Sequence, residues 1–140
     1  MPTSSYNKFN QFVEDLAEGV HTHSTDQFTV ALTAAANAPV ATNSVLVDLT
    51  EISYTNLSSR NLTISSSGQT SGTFTQLFAD LTLSASGGAV AAFRYVVIYN
   101  NTPTSPLDPL VGYYDYGSDL TLQDGESLLI DFTTSTFTIA

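Results

Sequence analysis

The hydrophobic positions of this chain follow two rhythms. Phe9, Phe12, Val13, Leu16 and Val20 recur at helical spacing while Lys8, Gln11, Glu14, Asp15 and Glu18 fall off that stripe, so residues 6–20 are predicted as an amphipathic helix. Ser4 or Ser5 is placed to cap its start and Gly19 to end it. From residue 26 the rhythm shortens to two. Phe28, Val30 and Leu32 alternate with smaller or polar residues, and Val45, Val47 and Leu49 do the same. Further strands are predicted over 61–65, 73–84, 90–99, 110–115, 120–122, 127–132 and 136–139. Between them lie AANAPVAT, SSSGQTSG, SASGG, NNTPTSPLDP, YGSD and QDGE, all rich in turn-forming residues. Asp124-Gly125 is the sharpest hairpin signal, and SSSGQTSG is expected to be one mobile loop.

Eight or nine short strands without interspersed helices predict a mainly β, antiparallel, jelly-roll-like β-sandwich with one short N-terminal α-helix, because a single flat sheet of that length would leave long edges bare. The chain reads as a single domain over 1–140, with 1–20 as an N-terminal helical arm and 26–140 as the β-sandwich. Residues 91–99 are apolar on both faces except at Arg94, which predicts a central strand whose one cation meets a carboxylate.

Charge removes several classes of function. Thirteen acidic residues face three basic ones, Lys8, Arg60 and Arg94, for a net charge of −10. Nucleic acid and anionic membrane surfaces are thereby excluded as expected partners, since both are bound through Lys and Arg. Charged residues make up only 11% of the 140, so the polar faces must be built largely of hydroxyl groups. There is no cysteine, and with it go disulfides, thiolate metal sites and thiol nucleophiles. The opening MPTSSYNKFN lacks the basic and apolar blocks of a secretory signal.

Candidate chemistry is sparse. His21 and His23, near Glu18 and Asp26, could point the same way and ligate a metal, but spacing fixes no third ligand; a solvated helix exit explains them more simply. Asp108, Asp115, Asp119, Asp124 and Glu126 are oxygen-rich, yet match no calcium-loop spacing, and turn formation accounts for Asp119 and Asp124. Tyr113, Tyr114 and Tyr116 could line a sugar site in a chain with no tryptophan. No nucleophile elbow or phosphate-cradling loop is present, and the three Asn-X-Ser/Thr matches at Asn56, Asn61 and Asn100 are those expected of such a composition. The reading is a non-enzyme without catalytic residues, cofactor or metal.

The opening YNKFNQFVEDLAEGVH, the stretch ALTAAANAPVATNSVLVDLTEI and above all FRYVVIYNNTPTSPLDPLVGYYDYGSDLTLQDGESLLIDF resemble small structural proteins of tailed-bacteriophage virions. Among these the chain is most similar to the capsid cement, or decoration, proteins of the jelly-roll type, as on a Bordetella podophage head. The resemblance covers most of the chain and rests on strand and turn patterns. It implies a protein on the outer surface of the capsid, homodimeric, that clamps neighbouring major capsid protein subunits. Tyr6, Phe9 and Phe12 carry more apolar surface than a solvated arm needs, so they are candidate interface residues, with packing onto their own sandwich as the alternative. Pro103, Pro106 and Pro109 stiffen a long loop into a second candidate contact. A receptor- or glycan-binding module on a phage tail or head is the competing expectation, and a weak hydrolase with paired carboxylates is a third.

Overall fold

The computed structural model describes residues 3–133 and 135–140. Its elements run β1 (Asn7–Lys8), α1 (Gln11–Ala17), β2 (Phe28–Thr33), β3 (Ile64–Thr70), β4 (Thr73–Phe78), β5 (Leu81–Ser84), β6 (Phe93–Asn100), β7 (Leu110–Leu120), β8 (Ser127–Ile130) and β9 (Phe137–Ile139). Every strand pair is antiparallel, and the strands form sheets ordered β1-β7-β6-β2, β3-β4-β9 and β5-β8. The protein is mainly β with one α-helix among the described residues.

Alternation sorts the central strands into two cores. Phe28, Val30 and Leu32 of β2, with Val96 and Ile98 of β6, face the main core, where Phe78 and Leu83 from the other sheets and Phe132 just past β8 meet them. The intervening Ala31, Val97 and Tyr99 face a second core closed by Phe9, Leu110 and the partly buried Leu46 and Leu49. Ala31 lies opposite Val97 and Val30 opposite Ile98, so register keeps both layers apolar. Strand β6 is therefore covered on both faces, as its near-continuous apolar run predicts.

The helix is shorter than its periodicity suggests. Tyr6 to Phe9 run extended instead, because Asn7 and Lys8 pair with Tyr113 and Gly112 and the Phe9 N–H reaches the Val111 carbonyl at 3.3 Å. Those bonds hold Phe9 and Phe12 in different cores, which one helical face could not do. Asn10, not Ser4 or Ser5, stands at the helix start, without a capping side chain. Gly19 ends it as expected: Gly19 N–H bonds to Leu16 and Val20 N–H to Asp15, the paired bonds of a Schellman stop.

Several strand assignments also differ. Residues 46–48 form a 3-10 turn, since the Asp48 carboxylate accepts the Ser44 and Val45 N–H groups at 2.8 and 3.1 Å and curls the chain. SSSGQT is no loop: it is most of β3, paired with β4 through a two-residue turn in which Ser71 and Gly72 take φ of 51° and 82°. Its polar side chains hide it from any hydrophobic pattern. Residues 73–84 break at Ala79-Asp80 into two strands of different sheets, and YGSD is a bulged part of β7, where the register shifts between Tyr95 and Phe93. The Asp124-Gly125 turn is real, but β8 returns against β5 and not against the strand before the turn.

Candidate functional site

The first twenty residues are woven into the body. Phe9 is fully buried and Phe12 is 2% exposed, so their side chains fill this chain's own cores and offer no surface to another molecule. This corrects the interface reading of Phe9 and Phe12 in favour of packing onto their own sandwich. Tyr6 is half-buried, stacks on Phe137 at 5.5 Å and donates its hydroxyl to the Val111 carbonyl at 3.3 Å. Its ring lies so close to Gly112 that a Cβ there would overlap it, which makes Gly112 the seat of the segment. Burial, with Tyr114 beside it, holds the Tyr6 hydroxyl's pKa far above the ordinary value, and burial pushes Tyr114 up to about 12.

The helix exit is an aromatic box, not a solvated corner. His21 and His23 are 7% and 8% exposed. His23 stacks on Phe28 at 5.4 Å with the planes 8° apart, and Phe12, Phe74 and Phe137 close around it. Asn100, at the end of β6, donates one Nδ2 hydrogen to Asp26 at 2.7 Å and shares a 3.0 Å contact with His21 Nδ1. The Asn100 Oδ1 accepts the Thr102 N–H, which fixes the amide's orientation and so makes His21 Nδ1 an acceptor. His21 Nε2 and both nitrogens of His23 have no partner among the described residues. Desolvation drives both imidazoles down to about 4; Asp26 opposes this weakly at each, and His21 adds to it at His23. Both rings are therefore neutral at pH 7. Among the described residues no three His, Asp or Glu side chains gather as metal ligands. The tie that Asn100 makes is not legible in the sequence, since nothing marks a polar strand end as the link between a loop and a box.

The acidic residues of the last third disperse into structural duties. Asp115 takes Arg94 in a two-point pair at 2.8 and 3.0 Å, the carboxylate partner expected for that cation. Asp119 accepts the Ala35 N–H, Asp124 the Gly87 N–H and Glu126 the Gln123 N–H. Asp119 and Asp124 thus brace distant loops and not their own turns. Arg60 donates to the Val30 carbonyl and lies 3.6 Å over the Tyr54 ring.

The proline loop divides. Pro109 is buried, and its carbonyl receives the Asn100 N–H at 2.9 Å, so it is not a contact residue as expected; Pro103 and Pro106 are half-buried. The loop's exposed apolar group is Leu107, at 58%. Next to it the Leu46 N–H bonds to the Asp108 carbonyl at 3.0 Å, which brings Val47, 83% exposed, to the same end of the molecule. A second apolar surface lies elsewhere: a groove of about 560 Å³ between the N-terminal segment, β7 and β8, with Tyr6, Tyr114, Leu129, Ile130, Asp131 and Phe132 in its lining. The Tyr114 hydroxyl is committed to the Thr136 carbonyl and Asp115 to Arg94, while Tyr116 and Asp131 also line the groove. Comparison with protein-family models, with curated proteins and with solved structures finds no match to this chain.

Proposed function

We propose that this chain is a virion structural protein, a cement or decoration protein that binds the outside of a phage capsid and stabilises contacts between major capsid protein subunits. The observation that carries the reading is the pair of separate apolar surfaces, Val47 with Leu107 at one end and the Leu129 groove on β8, on a chain of net charge −10 whose other large exposed apolar side chains, among the described residues, are Val13 and Val40. A protein that clamps two subunits needs two such faces on a firm body and no chemistry. Binding to an assembled shell but not to free subunits stabilises the shell by mass action, and two contacts at once add avidity. In this reading the strands follow jelly-roll connectivity, the protein works as a homodimer, and its place is the outer surface of the head. The resemblance of the sequence to phage cement proteins supports all three.

The test is co-sedimentation of the purified protein with heads stripped of their decoration, beside free capsid subunits, at two salt concentrations. Saturable binding to heads alone is expected, falling with salt if the acidic surface contributes. Absence of binding to heads overturns the reading.

A glycan- or receptor-binding module is the second reading, and Tyr6, Tyr114 and Tyr116 in one groove are what favours it. Against it, two of the three hydroxyls are spent on backbone carbonyls. Titration with host-surface glycans decides: chemical shifts at Tyr116 and its neighbours support this reading, and none support the cement reading.

A further inference from the structure

The strand β8 has an open edge, and its polarity can be worked out residue by residue. Antiparallel pairing alternates residues that bond to the partner strand with residues that turn their backbone groups away. Ser84 of β5 spends its N–H on Ser58 Oγ at 2.9 Å and its carbonyl on the Ser58 N–H at 3.0 Å, both on the side away from β8. Ser84 and Ser127 are therefore a pair that does not bond through the backbone, and the short 3.0 Å contact between their hydroxyls fits the closer side chains of such a pair. Alternation then assigns Leu128 and Ile130 to bond with β5, and Ser127, Leu129 and Asp131 to point their N–H and C=O outward. The next inward residue agrees: the Phe132 N–H reaches Asp80 on the β5 side at 3.0 Å. Outward, no backbone bond is made among the described residues.

The groove runs along that edge. Leu129 and Asp131 line it with their inward neighbours, consecutive residues as befits a strand edge, while Tyr6, Tyr114 and Phe132 supply apolar lining. Leu129 is 40% exposed, an apolar side chain beside unpaired peptide groups. An exposed edge of this kind is a template for another strand.

We propose that this groove receives an extended segment of a partner protein by strand addition to β8, a segment whose alternate side chains are apolar and which carries lysine or arginine. Charge selects the occupant. Asp131 stands exposed at the groove, the net charge is −10, and of the three cations Arg94 is held by Asp115 and Arg60 by the Val30 carbonyl and Tyr54. Paired on this edge, a second copy of this chain would bring β8 itself, a strand without lysine or arginine and followed by another Asp131, whereas a basic strand meets complementary potential. The inference goes beyond the capsid reading and does not require it, since any basic extended segment satisfies the edge.

The test uses the full chain and a short synthetic peptide of alternating valine and lysine. Backbone amide shifts concentrated at Leu129 and Asp131 are expected, with binding weakened at least about tenfold when glutamate replaces lysine. Leu129→Pro removes only an outward N–H and leaves the β5 ladder bonded, so it should abolish binding while the protein still folds. If that variant does not fold, the same peptide N-methylated along one edge serves, and it should fail to bind the unaltered protein. Shifts located elsewhere, undiminished binding of the N-methylated peptide, or no shift at millimolar peptide overturn the proposal. So does a homodimer that Leu129→Pro dissociates in sedimentation, which would show that copies of this chain pair through β8.

Discussion

Two polar clusters in this protein solve opposite problems. The Arg94–Asp115 pair lies at the surface, both side chains about a third exposed, with each charge matched by the other in a two-point bond. The box at His21 and His23 is buried, and three of its four ring nitrogens have no partner among the described residues. The first keeps its charges because water and a partner share them; the second stays neutral because aromatic rings surround it. Proton sensitivity therefore belongs to the box, although the ion pair is where formal charge sits. The lesson is that a short contact between charges says less about pH response than the solvation each group has lost.

The largest break in this contrast is to remove a wall of the box. Phe28→Ala takes away a fully buried ring stacked on His23, and a loss of about 3–5 kcal/mol is expected in denaturant unfolding. Acid comes next. Both imidazoles have folded pKa values depressed from 6.5 to about 4, so the unfolded chain binds protons first as pH falls. The stability these rings allow is intact above pH 6.5 and is lost between 6.5 and 4, by about 2–3 kcal/mol per ring at pH 4. Protonation also turns His21 Nδ1 into a donor facing the Asn100 amino group. Asp115 behaves differently: Arg94 lowers its pKa below 3.8, so its contribution is present above that value and fades only at more acid pH. Melting curves at half-unit pH steps separate the two windows.

Smaller changes sharpen the contrast. His23→Phe removes two unpartnered nitrogens, and a gain of about 1 kcal/mol at pH 7 is expected together with roughly half the acid loss between pH 6.5 and 4. Gln76→Met tests the same physics away from any titration, because Gln76 is fully buried with neither amide atom partnered among the described residues; about 1 kcal/mol of stabilisation is expected. Smallest is Arg94→Gln, which should leave the melting temperature at neutral pH within about a degree.

How far the sequence announced these features depended on whether they follow a local period. Phe28, Val30 and Leu32 obey strict alternation, and β2 sits where that pattern puts it. Arg94 stood out against an apolar strand, and its carboxylate could be anticipated. Strand β3 could not, since Ser65, Ser66 and Ser67 carry no hydrophobic signal and only the turn at Ser71-Gly72 and pairing with β4 make them a strand. The box was equally hidden. His21 and His23 follow a helix stop, a position that normally faces water; His23 is covered by Phe74 and Phe137, which arrive from far along the chain, and His21 by Phe12, Phe28 and His23 itself. The groove on β8 needed the pairing partner to be known: the Asp124-Gly125 turn suggested a hairpin with the preceding strand, which would have closed a different edge. Tertiary pairing, not propensity, decided each of these.

The most direct measurement is hydrogen–deuterium exchange on the protein free and bound to stripped phage heads. The expected result is binding with new protection confined to β8 around Leu129 and to the Val47 and Leu107 end, while amides of the His21 and His23 box exchange as before. Failure to bind heads, or protection centred on the box with the two apolar surfaces unchanged, would contradict it.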